Sequence, residues 1–440
     1  MLRIFKSGDI TAEQRAGLMK RVASEDRSAV ETVRSILDRI EREGTSAVLD
    51  YTLQFDGVRL NDLVAQPEEF DAAENQLSDD LKRAFQKAAE NIATFHQLQR
   101  EALRDHDTII DGTLMGFKYI PVDAAGVYVP GGKASYPSSV LMGLIPAIIA
   151  GVRKQILITP PNASGSVDPA VLYCARMAGG NSIQVIKAGG AQGIAAAAYG
   201  LTGIRTEVIV GPGNRYVMAA KSILTERGLI RMDMPAGPSE VIVIADESAR
   251  PEFVAADLLS QAEHGEDSPA VLLTDSIALA EATAREIERG LNERPARRDM
   301  KATSIREHSF AVVFDDIKEA FVFSNEYGPE HLEICTQRPQ RDLERITSAG
   351  SVFLGHYAPV ALGDYFSGTN HVLPTGGAAR FYSGLGVEHF LKRITYQYPT
   401  EESLRNALDP IMLMSVHEGL DQEHGHSVQV RFQDTYDAGH

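Results

Sequence analysis

A helical pattern, DLLSQAEHG, ends in Ser260-Gln-Ala-Glu-His264-Gly, and Gln261 and His264, three residues apart, share one helix face. Two more segments set side chains of the same kind among Gly and Pro: Gly328-Pro-Glu330-His331 and Gly363-Asp364-Tyr-Phe-Ser-Gly-Thr-Asn-His371. Of the 12 histidines, His264, His331, His371 and, in the tail, His424 stand out. A single such histidine is more often a satisfied polar residue. His, Gln and Asp together offer nitrogen and oxygen donors that suit zinc or a similar divalent ion. Glu330-His331 reads as a pair of general bases: an imidazole titrating near about 6.5 takes a hydroxyl proton at neutral pH, and the adjacent carboxylate activates water for a second step. The competing reading is a helix that begins at Pro329 with an acid in its first turn.

The glycine pattern points to a ligand without the usual dinucleotide fingerprint, because G-x-G-x-x-G is absent from the sequence. GVYVPGGKAS is superficially like a phosphate-binding loop. Its spacing is off by one residue, and Ala134 stands where a hydroxyl is required. YVPGGK, KAGGAQG, VGPGN and MPAGPSE all sit at expected strand ends, with Gln192, Asn214 and Ser239 as side-chain donors. Parallel sheets bind ligands outside the carboxyl ends of their strands, so these loops predict a cleft for a large polar ligand.

The elements that must position these groups alternate. Short β-branched runs (QILITP, IQVIKAGG, EVIVGPGN, EVIVIAD, AVLLTD, FAVVFDD, LEICT and SVFLG) are separated by helical stretches, which argues for parallel βαβ units. The expected fold is α/β, with two Rossmann-like parallel-sheet domains, 121–235 and 236–380, joined by DMPAGPSE. A helical N-terminal region, 1–120, precedes them, with helices expected from Ser24 to Glu43 and from Glu68 to Asp105. A C-terminal arm, 381–440, is helical and ends in an extended HSVQVRF.

Composition sets the outer limits. The 440 residues are 44% hydrophobic and 23% charged, enough for several cores. With 43 Lys and Arg against 60 Asp and Glu, the net charge of −17 argues against nucleic-acid or anionic-membrane partners. Cys174 and Cys335 lie in apolar stretches without a CxxC, so thiolate zinc ligation, a redox pair and disulfides are not expected. The longest apolar run, Val140 to Val152, contains Pro146 and is too short to span a bilayer. MLRIFKSGDITAEQR has no apolar signal core, and the expected location is the cytoplasm.

Together GVYVPGG, GGAQGIAA, GPGN, DMPAGPSEV, DLLSQAEHG, NEYGPEHLEI, AGSVFLG, GDYFSGTNHVLPTGGAARF and HSVQVR resemble the histidinol dehydrogenase family, from the N-terminal region to residue 431. The resemblance implies a zinc-dependent, NAD-dependent homodimer that oxidises the primary alcohol of L-histidinol through the aldehyde to the carboxylate. It implies Gln261, His264 and Asp364 as zinc ligands from one subunit, completed by His424 of the partner subunit. Glu330 and His331 match the catalytic bases. Ser239, Gln261, His264, His331, Asp364, His371, Glu418 and His424 match substrate contacts, and Tyr128, Gln192 and Asn214 match positions that hold NAD. A modified Rossmann-like domain accounts for the missing fingerprint.

Two departures leave alternatives open. The family typically places a tail glutamate five residues before the tail histidine; here Glu418 stands six before His424, with His417 and His426 as further candidates. Lys133 follows VPGG where a small neutral residue is usual. It is either solvated surface or faces an anionic substrate group, as in a paralogue that oxidises a sulfonated diol such as dihydroxypropanesulfonate. A non-catalytic metal or nucleotide binder is the third reading, and it has no need of two bases.

Overall fold

The eight β-branched runs all become strands, because each is a short Val/Ile/Leu segment that a covered parallel sheet buries on both faces. The computed structural model describes residues 1–20, 27–131, 135–235 and 237–432; Lys133 and the expected helix start at Ser24 lie outside the described residues. In chain order the strands are β1 (Arg3–Lys6), β2 (His106–Ile110), β3 (Thr113–Pro121), β4 (Ala124–Tyr128), β5 (Lys154–Thr159), β6 (Gln184–Lys187) and β7 (Val208–Val210). They continue with β8 (Arg231–Met232), β9 (Val241–Ala245), β10 (Ala270–Thr274), β11 (Phe310–Val313), β12 (His331–Cys335), β13 (Ser351–Leu354) and β14 (Leu391–Tyr398).

One parallel sheet runs in the order β6-β5-β4-β7-β8 and the other in the order β1-β11-β10-β9-β12-β13. Strand order reverses between β4 and β7 in the first and between β9 and β12 in the second. Such switch points leave a crevice at the strand ends. The fold class is therefore α/β, as expected. The chain divides into two compact units, one of residues 1–99 with 122–390 and the other of 100–121 with 391–440. Both parallel sheets belong to the first unit; the second contains the antiparallel sheet β14-β3-β2.

Three local expectations fail for physical reasons. The N-terminal stretch is not wholly helical, since β1 extends the second sheet by pairing with β11, and β2 and β3 fill 106–121. A four-residue edge strand owes its conformation to its distant partner more than to local propensity. In the tail, LKRITYQY is a strand instead of a helix, paired with β3 from Leu391↔Pro121 to Tyr398↔Leu114. HSVQVRF, expected to be extended, coils into the helix His426–Gln429 and a 3-10 turn, Val430–Phe432. Neither segment pairs with a strand, so its backbone groups bond locally.

The Val140 to Val152 run lies largely in the buried helix Pro137–Ala150, which contains Pro146, and no described helix is long and apolar enough to cross a membrane. Cys174 and Cys335 are free and buried, and burial pushes both thiols up.

Candidate active site

A cavity of about 900 Å³ opens within the first unit, where the carboxyl ends of the first sheet meet the amino ends of the second. Gly211 to Arg215 follow β7 and Asp233 follows β8, whereas Ser239 precedes β9, and Glu330 and His331 open β12. Ligands were expected outside carboxyl ends alone. Here the second sheet's amino edge contributes as well as the first sheet's carboxyl edge.

His331 is the first residue of β12, in register with Val241 of β9. The reading of Glu330-His331 as a helix start is overturned, because this segment enters a strand. Next to β9, the Glu240 carbonyl lies 3.1 Å from His331 Nδ1. A carbonyl only accepts, so in the neutral ring Nδ1 donates and Nε2 keeps its lone pair. Nε2 is buried, has no hydrogen-bond partner among the described residues, and stands 4.0 Å from Asp364 Oδ1. Burial lowers the pKa of His331 despite the opposing pull of Asp364, which leaves the ring neutral and available as a base.

Glu330 is buried and accepts from Ser239 Oγ at 2.6 Å and from the Glu240 N–H at 2.9 Å. Desolvation outweighs these bonds and raises its pKa to about 8. Asp364, also desolvated, rises to about 6. His371 falls to about 4; its Nδ1 donates to the Asp364 carbonyl at 3.1 Å, and its Nε2 meets Ser139 Oγ at 3.1 Å. His264 opens onto the same cavity and is held low by desolvation and then by His331.

Gln261 is 2% exposed, and neither its amide oxygen nor its amide nitrogen has a hydrogen-bond partner among the described residues. A buried amide left so costs about 1–3 kcal/mol per group. His264 and Asp364 line the cavity, and Gln261 precedes His264 by three residues; an orphaned amide in this donor set fits a divalent cation taking oxygen and nitrogen donors. Among the described residues no group of three or more His, Cys, Asp or Glu is arranged for a metal. The donor set on this unit therefore depends on the amide.

Of the other expected site residues, Asn214 lines the cavity and caps the helix Arg215–Glu226, accepting from the Tyr216 and Val217 N–H groups. Tyr128 and Gln192 are buried at the start of the helix Gly190–Tyr199. The Tyr128 hydroxyl accepts the Gly190 N–H at 3.1 Å, and Gln192 donates to Asp56 at 3.3 Å. Glu418 and His424 lie on the second unit, both exposed, after the helix Leu408–His417.

Several participants escaped the sequence reading. Lys221, fully buried, donates to the Gly211 carbonyl and to Asp233, which in turn accepts the Gly211 N–H. Gly211 has φ +111, and a Cβ there would strike the Tyr128 carbonyl. This ion pair and glycine shape the GPGN loop. Ser139 is a buried hydroxyl on the helix Pro137–Ala150, and the pair Ser138-Ser139 before the apolar run was the signal that could have found it.

The family model described as histidinol dehydrogenase matches residues 19–432. The chain is 46% identical to the histidinol dehydrogenase of Leptospira interrogans over 435 residues, covering 98% of this chain and 99% of that one. It is 49% identical to that of Leptospira biflexa over 405 residues, 92% of each. The crystal structure of histidinol dehydrogenase from Elizabethkingia anophelis superposes with a TM-score of 0.91 at 40% identity, covering 99% of both chains.

Proposed function

Because the chain belongs to the histidinol dehydrogenase family, we propose that it oxidises L-histidinol through L-histidinal to L-histidine, the last steps of histidine biosynthesis. The reaction takes place in the cytoplasm and reduces two NAD. The observation that carries this reading is the His331 ring, with Nδ1 committed to a backbone carbonyl and Nε2 unpartnered among the described residues, in a cavity that also contains Glu330 and Asp364.

In the first step His331 Nε2 takes the hydroxyl proton while the carbinol carbon gives its hydride to NAD, forming the aldehyde. In the second, Glu330 takes a proton from water, whose oxygen adds to the aldehyde carbon; a second hydride leaves for NAD and the acid is formed. Burial raises Glu330 to about 8, and a cation bound in the cavity would bring it down toward the carboxylate that this step needs. Ser239 fixes the direction of the Glu330 carboxyl, and His371, anchored between Ser139 and the Asp364 carbonyl, closes the substrate end.

Gln261, His264 and Asp364 would hold one zinc ion, completed by His424 of the partner subunit, and Glu418 would reach the same substrate. When bound, the zinc supplies a fixed attachment point for the substrate's amino and ring nitrogens. NAD would lie against Asn214 and the glycine loops near Tyr128 and Gln192. Hydride release to NAD from L-histidinol and from L-histidinal tests the assignment of the bases. His331→Gln should slow alcohol oxidation by ~10²–10⁴-fold, and Glu330→Gln should mainly slow aldehyde oxidation. Unchanged rates for both variants on both substrates would remove the pair from the chemistry.

A further inference from the structure

Glu333 lies two residues beyond His331 on β12, so both side chains leave the strand on the same face. It is 1% exposed. Its Oε1 accepts the N–H of Val360 at 3.0 Å, at the first residue of the helix Val360–Tyr365. Its Oε2 is buried, and no hydrogen-bond donor reaches it among the described residues. The group within hydrogen-bonding reach of this carboxyl is another carboxyl, that of Asp257 on the helix Pro251–Ala262. Two carboxylates both accept and cannot bond to each other; one of them must keep a proton. Ionising both would bury a second, unpaired negative charge, which costs far more than retaining the proton.

The placement of this contact gives it a role. Asp257 and Gln261 stand four apart, one turn, on the helix Pro251–Ala262, and His264 follows two residues past its end. His331 and Glu333 share a strand face, and Val360 and Asp364 are one turn apart. We propose that Asp257 and Glu333 form a hydrogen-bonded acid pair sharing one proton, a positioning device that ties together the helix that bears Gln261 and leads into His264, the strand that bears His331, and the helix that bears Asp364. What those four residues do rests on the functional reading above; the tie itself does not. Burial pushes Asp257 up to about 6 and Glu333 well above the usual carboxylate range, in keeping with a retained proton.

Three measurements on the full-length protein test the pair. Infrared difference spectra of wild type against Glu333→Gln should show the C=O stretch of a buried carboxylic acid, lost in the variant. In metal-free protein, amide exchange of the 360–365 segment should quicken about tenfold in Glu333→Ala, which orphans the Val360 N–H. It should not change in Glu333→Gln, whose amide accepts from Val360 and donates to Asp257. In zinc-loaded protein, loss of zinc to excess chelator should be ~10–100-fold faster in Glu333→Ala and in Asp257→Ala, but unchanged in Glu333→Gln. If Glu333→Ala does not fold, Asp257→Ala and the infrared band still decide. Absence of the acid band in wild type overturns the proposal, as does a Glu333→Gln protein as impaired as the alanine variants, or alanine variants like wild type. A wild type that neither holds zinc nor reduces NAD would instead defeat the functional reading, while exchange in metal-free protein still reports on the tie.

Discussion

Glu330 and His331 differ in what the fold has done to each. His331 is made neutral by burial and given a fixed tautomer by the Glu240 carbonyl; Glu330 is buried and keeps its proton to about 8. The Glu330 shift has a thermodynamic consequence whose sign is fixed. A carboxyl raised from 4.5 to about 8 on folding contributes stability that is fully present below the unfolded value and lost as pH rises through about 8. Metal-free protein should therefore lose stability from about pH 5 to about pH 9, and Glu330→Gln should flatten that slope. Denaturant midpoints of the two proteins across this range check it; parallel curves would mean the carboxyl is not buried as described. The chemical types and spacing at this scale were legible in the sequence, since acid, imidazole, amide and carboxylate recur beside Gly and Pro. Their anchors were not. Ser239 bonding to Glu330, and Glu240 offering its carbonyl to His331, follow from the pairing of β9 with β12, and nothing in the local sequence announces that register.

At the scale of elements, the GPGN loop depends on one buried ion pair. Lys221 and Asp233 together satisfy both backbone polar groups of Gly211. Removing one partner leaves the other charge buried and unpaired, so Lys221→Met should cost ~3–5 kcal/mol in chemical denaturation. It should also raise KM for NAD more than it lowers kcat, because the loop carries Asn214 on the cavity wall while the proposed bases stand at the start of β12. A loss below about 1 kcal/mol would mean that solvent reaches the pair. Runs such as VIVIA and AVLLT were readable as strands because burial on both faces demands continuous apolar sequence. β1 and β14 were not readable in this way. RIFK is a short edge strand, and LKRITYQY is mostly exposed and held by its partner β3. HSVQVRF misled because its apparent alternation of polar and apolar residues has no strand to pair with.

For the whole molecule, the second unit combines segments that are far apart in sequence, 100–121 and 391–440, so no local reading of the chain delimits it. It carries Glu418 and His424, and the helix Leu408–His417 ends with Leu413 at 74%, Met414 at 60% and Val416 at 60% exposure. Apolar side chains so displayed support a subunit contact, as the shared-site proposal requires. Mixing two inactive proteins, His264→Ala and His424→Ala, should restore part of the activity, because each hetero-dimer assembles one intact site. A site built within one chain would give no recovery. Chelation followed by zinc addition should abolish and then restore turnover; full activity in demonstrably metal-free protein would remove Gln261, His264 and Asp364 from any metal role. Four-electron oxidation at one site is decided by counting NADH formed per L-histidinol, with the alcohol limiting and the product identified. Two NADH and L-histidine are predicted for wild type, with Glu330→Gln forming its first NADH well ahead of its second. A yield of one NADH with aldehyde as the end product, or no NADH at all, would contradict it.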